Sequence, residues 1–173
     1  IDRISREAEN LQELLAGLEA EQERYAAGAQ ARRGLFSTGG AMPVAGAARL
    51  PVSGIILSGY GDEDNIGASS QGITISGQNG ALVVAPMGGI VRFAGEFKNY
   101  GRLIILEHKD DYHSLIGGLD IINIAVGEKV GAGEPVGKLP VTPSRDDQPA
   151  LYYELRYKGS PIDPSKKFSG LKS

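Results

Sequence analysis

Residues 72–108 have the sequence GITISGQNGALVVAPMGGIVRFAGEFKNYGRLIILEH. Short runs rich in Val, Ile and Leu alternate there with Gly, Pro and Asn-Gly, which is the pattern of strands joined by tight turns. Asn79-Gly80 is a strong turn signal, because both residues can adopt positive φ. No helical period of useful length occurs between Leu50 and Leu155. The sequence therefore predicts a compact, mostly antiparallel β-domain over residues 50–173.

The first 27 residues have a different pattern. Glu, Gln and Arg separate apolar side chains that recur every three or four residues, at Ile1, Ile4, Ala8, Leu11, Leu15 and Leu18. This seam predicts an amphipathic helix, either in a coiled coil or lying singly on its own domain. Residues 28–49 are rich in Ala and Gly, which is a linker composition. The opening IDRISREAENL has the character of a helix interior, so we expect a longer protein to precede it.

Composition excludes several classes of function. The 173 residues contain no cysteine, which rules out a disulfide framework. The formal net charge is −3; residues 1–27 hold seven acidic and three basic residues, which leaves +1 for the remainder. No clustered basic face is present, so we expect no nucleic-acid partner. No apolar run is long enough for a transmembrane helix.

The order of motifs from Leu50 to Phe168 resembles the LytM, or lysostaphin-type, peptidase domain over roughly two thirds of the chain. The likeness rests on residues 72–139, which end in VGEKVGAGEPVGKL, and on LYYELRYKGSPIDP at 151–164. Within that family the chain is most similar to the EnvC-type murein hydrolase activators, in which a degenerate LytM domain follows a coiled coil. The resemblance implies a β-sheet domain with a long groove, where active relatives hold zinc and the peptide cross-link.

The resemblance also shows that the family's metal-binding and catalytic positions are all changed. The motif His-x-x-x-Asp falls on Ser70 and Thr74, the histidine of Tyr-x-His falls on Gly118, and the motif His-x-His falls on Ala150 and Tyr152. A catalytic zinc takes three protein ligands from His, Asp, Glu or Cys. None of the ligands remains, so we expect no zinc, no other cofactor and no endopeptidase activity.

The only two histidines lie together in HKDDYH, so they cannot come from the separate strands on which such a site depends. His108 ends the run LIILEH, and we expect it to be a hydrogen-bonded structural residue. His113 could form a weak surface metal site with Asp110 and Asp111. The two aspartates are more typical of a solvated turn, which is the interpretation we favour.

A groove without its metal is predicted to bind another protein. Alternate residues of a strand share a face, so Tyr152, Glu154 and Arg156 should lie together; the simpler alternative is that Tyr152 only packs in the sheet. Tyr and Arg are frequent at binding hot spots, and Arg156 is the first contact we expect. The family resemblance adds four more residues to this predicted binding surface, namely Gln71, Thr74, Tyr100 and Leu103.

The resemblance further implies a role in splitting the cell wall. EnvC-type activators bind periplasmic N-acetylmuramoyl-L-alanine amidases and relieve an autoinhibitory helix, so that septal peptidoglycan is split during cell division. We therefore expect a periplasmic, non-catalytic activator whose groove captures an amidase helix. The N-terminal segment would recruit this protein to the division machinery through a membrane protein there, or cover the groove until recruitment. The alternative is a peptidoglycan-binding module without activating function. A lipoyl or biotin carrier fails, because no lysine stands in the required Met-Lys hairpin.

Overall fold

The computed structural model describes residues 11–14, 49–144 and 146–167. The chain divides into two units, Ile1–Met42 and Pro43–Ser173. Residues 11–14 of the first unit are helical. The rest of the predicted N-terminal helix and nearly all of the predicted linker lie outside the described residues. Within the described part of the chain, no helix has the length and apolar character needed to cross a membrane.

The second unit consists of short strands, and the prediction of a mostly β, LytM-type domain is confirmed. A short 3-10 helix, Pro164–Lys166, follows the last strand. In chain order the strands are β1 (Gly54–Ser58), β2 (Ile73–Gly77), β3 (Leu82–Val84), β4 (Gly89–Phe97), β5 (Gly101–Glu107), β6 (Tyr112–Leu119), β7 (Ile121–Ile122), β8 (Lys129–Val130), β9 (Pro135–Lys138), β10 (Ala150–Tyr157) and β11 (Ser160–Ile162).

The strands of the described region form two sheets in which every pairing is antiparallel. The main sheet has eight strands in the order β1-β2-β10-β6-β5-β4-β8, with β11 pairing with β10. The second sheet has the order β3-β9-β7. This order places β10, β6 and β5 in the middle of the main sheet and leaves β1 at one edge.

The hydrophobic core follows the two-residue period of the strands. On β10, Leu151, Tyr153 and Leu155 point into the core cluster, together with Val83 of β3 and Val136 of β9 from the second sheet. Burial of such apolar side chains is the main favourable term in folding. The intervening β10 residues are left on the opposite face of the main sheet, and the candidate site lies on that face.

The predicted turn at Asn79-Gly80 is present between β2 and β3. The Ala81 N–H donates to the carbonyl of Gln78 at 3.0 Å, and Gly80 has φ of 67°. Asn79 does not share the positive φ that the sequence suggested, because only the second central residue of a type II turn requires it. Its side chain instead accepts a hydrogen bond from the Thr142 N–H at 2.9 Å.

Candidate functional site

Three of the predicted binding residues lie in one row across the main sheet. Tyr152 of β10 pairs with Thr74 of β2 on one side and with Gly117 of β6 on the other. Gly117 in turn pairs with Leu103 of β5. Directly paired residues of neighbouring strands point to the same face. We call this row, together with Tyr100, the candidate groove.

Tyr100 packs over the row at Gly117, because Gly117 has no side chain to occupy that space. A Cβ atom at Gly117 would lie 3.2 Å from the carbonyl oxygen of Tyr100 and 3.5 Å from its Cβ. The ring centroids of Tyr100 and Tyr152 are 5.5 Å apart, within the range of favourable aromatic contacts. The structure therefore brings together four of the predicted residues. Gln71, three residues before Thr74, is half-buried in the preceding loop.

Two further aromatic residues extend this surface, and the sequence analysis missed them. The ring centroids of Phe97 and Tyr100 are 6.1 Å apart, and those of Phe93 and Phe97 are also 6.1 Å apart. Phe93 and Phe97 are four positions apart on β4, an even offset, so the period-2 rule could have placed them on one face. We call Phe93, Phe97, Tyr100 and Tyr152 the aromatic row.

Four of the five degenerate metal and catalytic positions are neighbours. Thr74 pairs with Tyr152, and Gly118 lies so close to Ala150 that a Cβ atom there would be 2.7 Å from the Ala150 carbonyl oxygen. The fifth position, Ser70, lies in the loop before β2, where its hydroxyl donates to the carbonyl of Gly72 at 2.8 Å. The site that the resemblance assigned from separate parts of the chain is therefore assembled by the fold.

Gly118 occupies a β-bulge in β6. Arg102 pairs with Leu119 but the next residue, Leu103, pairs with Gly117, so Gly118 is an extra residue in the register. Its φ of 89° is typical of the glycine in such a bulge. Its N–H donates to the carbonyl of Tyr100 at 2.9 Å. A histidine at this position would have to adopt a left-handed backbone and displace the Ala150 carbonyl.

Tyr152, Glu154 and Arg156 form a hydrogen-bonded network, as their alternation on β10 predicts. The Tyr152 hydroxyl donates to Glu154 Oε2 at 2.8 Å. Arg156 Nε donates to Glu154 Oε1 and forms a salt bridge with it. Arg156 Nη1 also donates to the carbonyl of Gly159 at 3.2 Å. The carboxylate of Glu154 is thus bound from both sides.

Arg156, the first contact that the sequence predicts in the binding surface, is almost completely buried in this structure. Arg156 is 1% exposed and Glu154 is fully buried, whereas Thr74, Tyr100 and Tyr152 are half-buried. A buried guanidinium must be paired, and Glu154 supplies the pairing. Arg156 therefore positions Glu154 and, through it, the Tyr152 hydroxyl. Leu103, also expected in the binding surface, is fully buried.

The electrostatics of the network keep Tyr152 neutral. Burial raises the pKa of Tyr152 far above its ordinary value, and the neighbouring Glu154 carboxylate raises it further. Burial also raises the pKa of Glu154, whereas the Arg156 guanidinium and the hydrogen bond from Tyr152 oppose that shift. The phenol therefore keeps its proton and donates it in the hydrogen bond to Glu154.

The residues at these positions do not fit zinc. Zinc in proteins is held by thiolate, imidazole or carboxylate groups. Ser70 and Thr74 offer neutral hydroxyls, and Tyr152 offers a protonated phenol. Among the described residues, no group of three His, Cys, Asp or Glu side chains could hold a metal ion. No step of metal-assisted hydrolysis can be assigned to this donor set.

His108 has the structural role that the sequence predicts. Its Nδ1 lies 2.9 Å from the carbonyl oxygen of Gly88, which can only accept, so Nδ1 carries the proton. Its Nε2, 2.7 Å from Ser114 Oγ, is therefore the acceptor. Ser114 Oγ lies 3.0 Å from the Tyr153 hydroxyl, which completes a buried chain of hydrogen bonds. Burial lowers the pKa of His108 to about 4, so the ring stays neutral near pH 7.

The second histidine does not gather with the nearby aspartates. Asp110 and Asp111 have φ of 60° and 62° and are exposed, so they form the solvated turn that was favoured. His113 pairs with Arg156 on one side and with Glu107 on the other. The weak metal site weighed from the sequence is absent from the described residues.

Comparison with known proteins places these observations in a family. Residues 68–164 match peptidase family M23. The chain is 36% identical to outer membrane antigenic lipoprotein B of Haemophilus influenzae, covering 66% of this chain and 27% of that protein. It is 31% identical to murein hydrolase activator NlpD of Escherichia coli, covering 67% of this chain and 30% of that protein. It thus spans less than a third of either relative.

Solved structures support the fold. The solution structure of lysostaphin superposes with a TM-score of 0.55 and 23% sequence identity, covering 64% of this chain and 48% of that one. At this level of identity the likeness concerns the fold alone. Function has to be argued from the residues of the candidate groove and from the named relatives.

Proposed function

Because this chain belongs to peptidase family M23 and resembles a relative named as an activator, we propose that it is a non-catalytic activator of a cell-wall hydrolase. The candidate groove binds a helix of that hydrolase and favours the hydrolase's active conformation. The partner we propose is a periplasmic N-acetylmuramoyl-L-alanine amidase, as for the EnvC-type activators. The result is splitting of septal peptidoglycan during cell division.

The observation that carries this proposal is the hydrogen-bonded network of Tyr152, the residue that the family resemblance puts at the position of a metal ligand. Its hydroxyl donates to Glu154, and Arg156 holds Glu154 from the other side. Position 152 is therefore occupied by a neutral side chain whose hydroxyl is already hydrogen-bonded. A groove with this content can bind a partner but has no group that would activate a water molecule.

The chemistry of the candidate groove suits an amphipathic helix. Thr74, Tyr100 and Tyr152 present neutral surface, and the ring contact between the tyrosines continues into Phe97. Helix-in-groove recognition places the apolar face of a helix on such a surface. Binding shifts the hydrolase toward its open state only by the difference in affinity for the two states. The groove must therefore bind the regulatory helix more tightly when that helix is displaced from the amidase than when it is in its inhibitory position.

The names of the same relatives support a proposal for the cellular setting. One relative is named a lipoprotein and another a murein hydrolase activator, names that fit the cell envelope. We place this protein in the periplasm, with peptidoglycan as a further ligand. The amphipathic seam of residues 1–27 is assigned to contact with a membrane protein of the division machinery, or to restraint of the groove until that contact is made.

Reconstitution with a purified amidase tests the proposal. Dye release from labelled sacculi is measured for the chain alone, the amidase alone and the mixture. We expect the mixture to release more dye than the amidase alone. The chain alone should not. Tyr152→Ala and Tyr100→Ala should each weaken binding about tenfold or more, since truncated aromatic hot spots cost about 2 kcal/mol. Val126→Ala, at an exposed site outside the groove, is the matched control.

The outcomes separate the proposal from its rivals. Unchanged activation in both tyrosine variants, with circular dichroism showing intact folds, would remove the groove from the account. Dye release by the chain alone would restore a peptidase function. Co-sedimentation with sacculi, without any effect on the amidase, would favour the peptidoglycan-binding module.

A further inference from the structure

The edge strand β1 exposes an uninterrupted apolar surface that the groove does not use. Ile55 is 72% exposed and Leu57 is 62% exposed, with Ile56 between them also exposed. The strand, GIILS, contains no charged residue and no proline. Natural edge strands are normally blunted by charge, proline or very short length. The opposite edge of the sheet, β8, is two residues long and contains Lys129.

The outer edge of β1 has no strand partner among the described residues. β2 pairs with its inner edge, from Gly54 opposite Gly77 to Ser58 opposite Thr74. A register shift between Ile56 and Ser58 leaves Leu57 unpaired with β2 and turns it outward. Unpaired backbone N–H and C=O groups of such an edge are a template for another strand.

After β1 the chain makes a turn, in which the Asp62 N–H donates to the Gly59 carbonyl at 3.3 Å, and then continues as a hairpin that carries acidic residues. The Gly61 N–H donates to the Ser70 carbonyl at 2.8 Å, and Glu63 forms an antiparallel bridge with Ser69. Asp62, Glu63 and Asp64 are all exposed. Residues 50–91 contain these three acidic residues and no Lys or Arg. This outer part of the domain is thus apolar at β1 and negative beyond the turn.

We propose that β1 and this acidic continuation bind an extended segment of a partner protein by strand addition. All described pairings are antiparallel, so the segment adds antiparallel to β1. Its basic residues then come first, against Asp62, Glu63 and Asp64, and its β-branched or other apolar residues follow, against Ile55 and Leu57. At about 3.3 Å per residue, a segment of about ten residues spans both parts.

A second copy of this chain is a poorer occupant of the same edge. It would bring the same acidic residues and leave their charge unneutralised. Three exposed apolar side chains offer on the order of a few hundred Å², below the roughly 1,200 Å² of a stable interface. A basic segment adds charge complementarity to the main-chain hydrogen bonds. β1 borders the candidate groove, since Ser58 pairs with Thr74. Strand addition uses the free main-chain edge of β1, which no groove residue supplies, so we assign this edge to a partner other than the amidase helix.

Peptide selection against the whole chain tests the inference. A phage-displayed library of random peptides of about twelve residues is the probe, long enough for the proposed segment. We expect enrichment of Lys or Arg followed by alternating β-branched residues. Binding of a selected peptide should weaken roughly tenfold or more in Ile55→Lys and about threefold in Glu63→Lys. Val141→Lys, at a site 73% exposed elsewhere, is the matched control and should bind normally.

The alternative results are decisive. Failure to enrich any peptide, or enrichment of peptides without basic residues, would overturn the proposal. Loss of binding in Tyr100→Ala would assign the peptide to the groove, and a dimer in sedimentation velocity that Ile55→Lys dissociates would assign the edge to a second copy. Activation of the amidase is measured in parallel and should be unchanged in Ile55→Lys, so the two proposals stand or fall separately.

Discussion

Arg156 shows how a single buried charge organises the site. It is bound to Glu154 and to the Gly159 carbonyl, and it is 1% exposed. Removing one partner of a buried ion pair leaves the other charge without compensation. The network therefore makes the geometry of Tyr152 dependent on a residue that is almost completely buried.

We expect Arg156→Ala to lower the free energy of unfolding by about 3–5 kcal/mol, because Glu154 would remain buried without its cation. Replacing the pair together, as Glu154→Leu with Arg156→Met, should recover most of this loss. Urea denaturation of both variants measures the difference. If Arg156→Ala unfolds at the wild-type urea concentration but no longer binds the amidase, Arg156 is a direct contact residue after all.

A second residue-scale prediction concerns pH. The pKa of His108 is lowered to about 4; burial is the main cause and His113 and Lys167 add to it, whereas the Gly88 carbonyl and Glu107 oppose the shift. Below the unfolded pKa of about 6.5, the unfolded chain takes up a proton that the folded chain refuses. Stability should therefore fall by about 2 kcal/mol between pH 7 and pH 5.

The measurement is urea denaturation at several pH values in that window. His108→Gln removes the titrating group, and its stability should change much less between pH 7 and pH 5. A variant as steeply dependent on pH as the wild type would assign the effect to other groups. Most carboxylates titrate lower, but burial raises the pKa of Glu154 and the chain has a second histidine, His113. Both are present in the wild type and in His108→Gln, so the difference between the two proteins assigns the change to His108.

At the scale of elements, the bulge in β6 sets the register of the candidate groove. Gly118 is the extra residue, and it adopts a φ of 89° against the carbonyl of Ala150. Gly117 can then pair with both Tyr152 and Leu103 and leave room for Tyr100. Gly118 thus provides the backbone geometry of the bulge, and Gly117 provides the space for Tyr100.

We expect Gly118→Ala to destabilise the domain more than Gly127→Ala. Gly127 has a φ of 93° but nothing within 4 Å of its Cβ position, so it carries only the cost of a left-handed backbone, about 1–2 kcal/mol. An alanine at position 118 carries the same cost, and in addition its Cβ atom would lie 2.7 Å from the carbonyl oxygen of Ala150. The difference in free energy of unfolding between the two variants measures that contact. Equal losses would show that β6 relaxes around the added methyl group.

The elements also show what the sequence could and could not predict. The shared face of Tyr152, Glu154 and Arg156 follows from the two-residue period of a strand alone. The burial of Arg156 does not, because periodicity groups residues on a face without saying how far that face lies from water. The bulge at Gly118 was not foreseen either. A comparison of motifs aligns residues only along the chain. A register shift depends on the pairing of two strands, so it becomes visible only when both strands are positioned in the structure.

At the scale of the whole molecule, the main sheet has three surfaces with different tasks. One face packs on the second sheet to form the core, through residues such as Leu151 and Leu155. The other face presents the candidate groove and the aromatic row. The free edge at β1 adds an apolar strand with acidic residues beyond it. The proposed groove and the proposed strand edge would together let one domain hold two partners at once.

The same view predicts how the whole chain responds to zinc. A ligand that binds only the folded state raises its stability, by about 2.7 kcal/mol when its concentration is a hundred times its Kd. Ser70, Thr74 and Tyr152 supply no ligand of the kind that zinc prefers. We therefore expect the same Tm with added zinc as with a chelator, while a zinc-binding member of the family shifts by several degrees in the same assay. A rise in the Tm of this chain that disappears in Tyr152→Phe would mean that the phenol binds metal, and the case for a purely protein-binding groove would be lost.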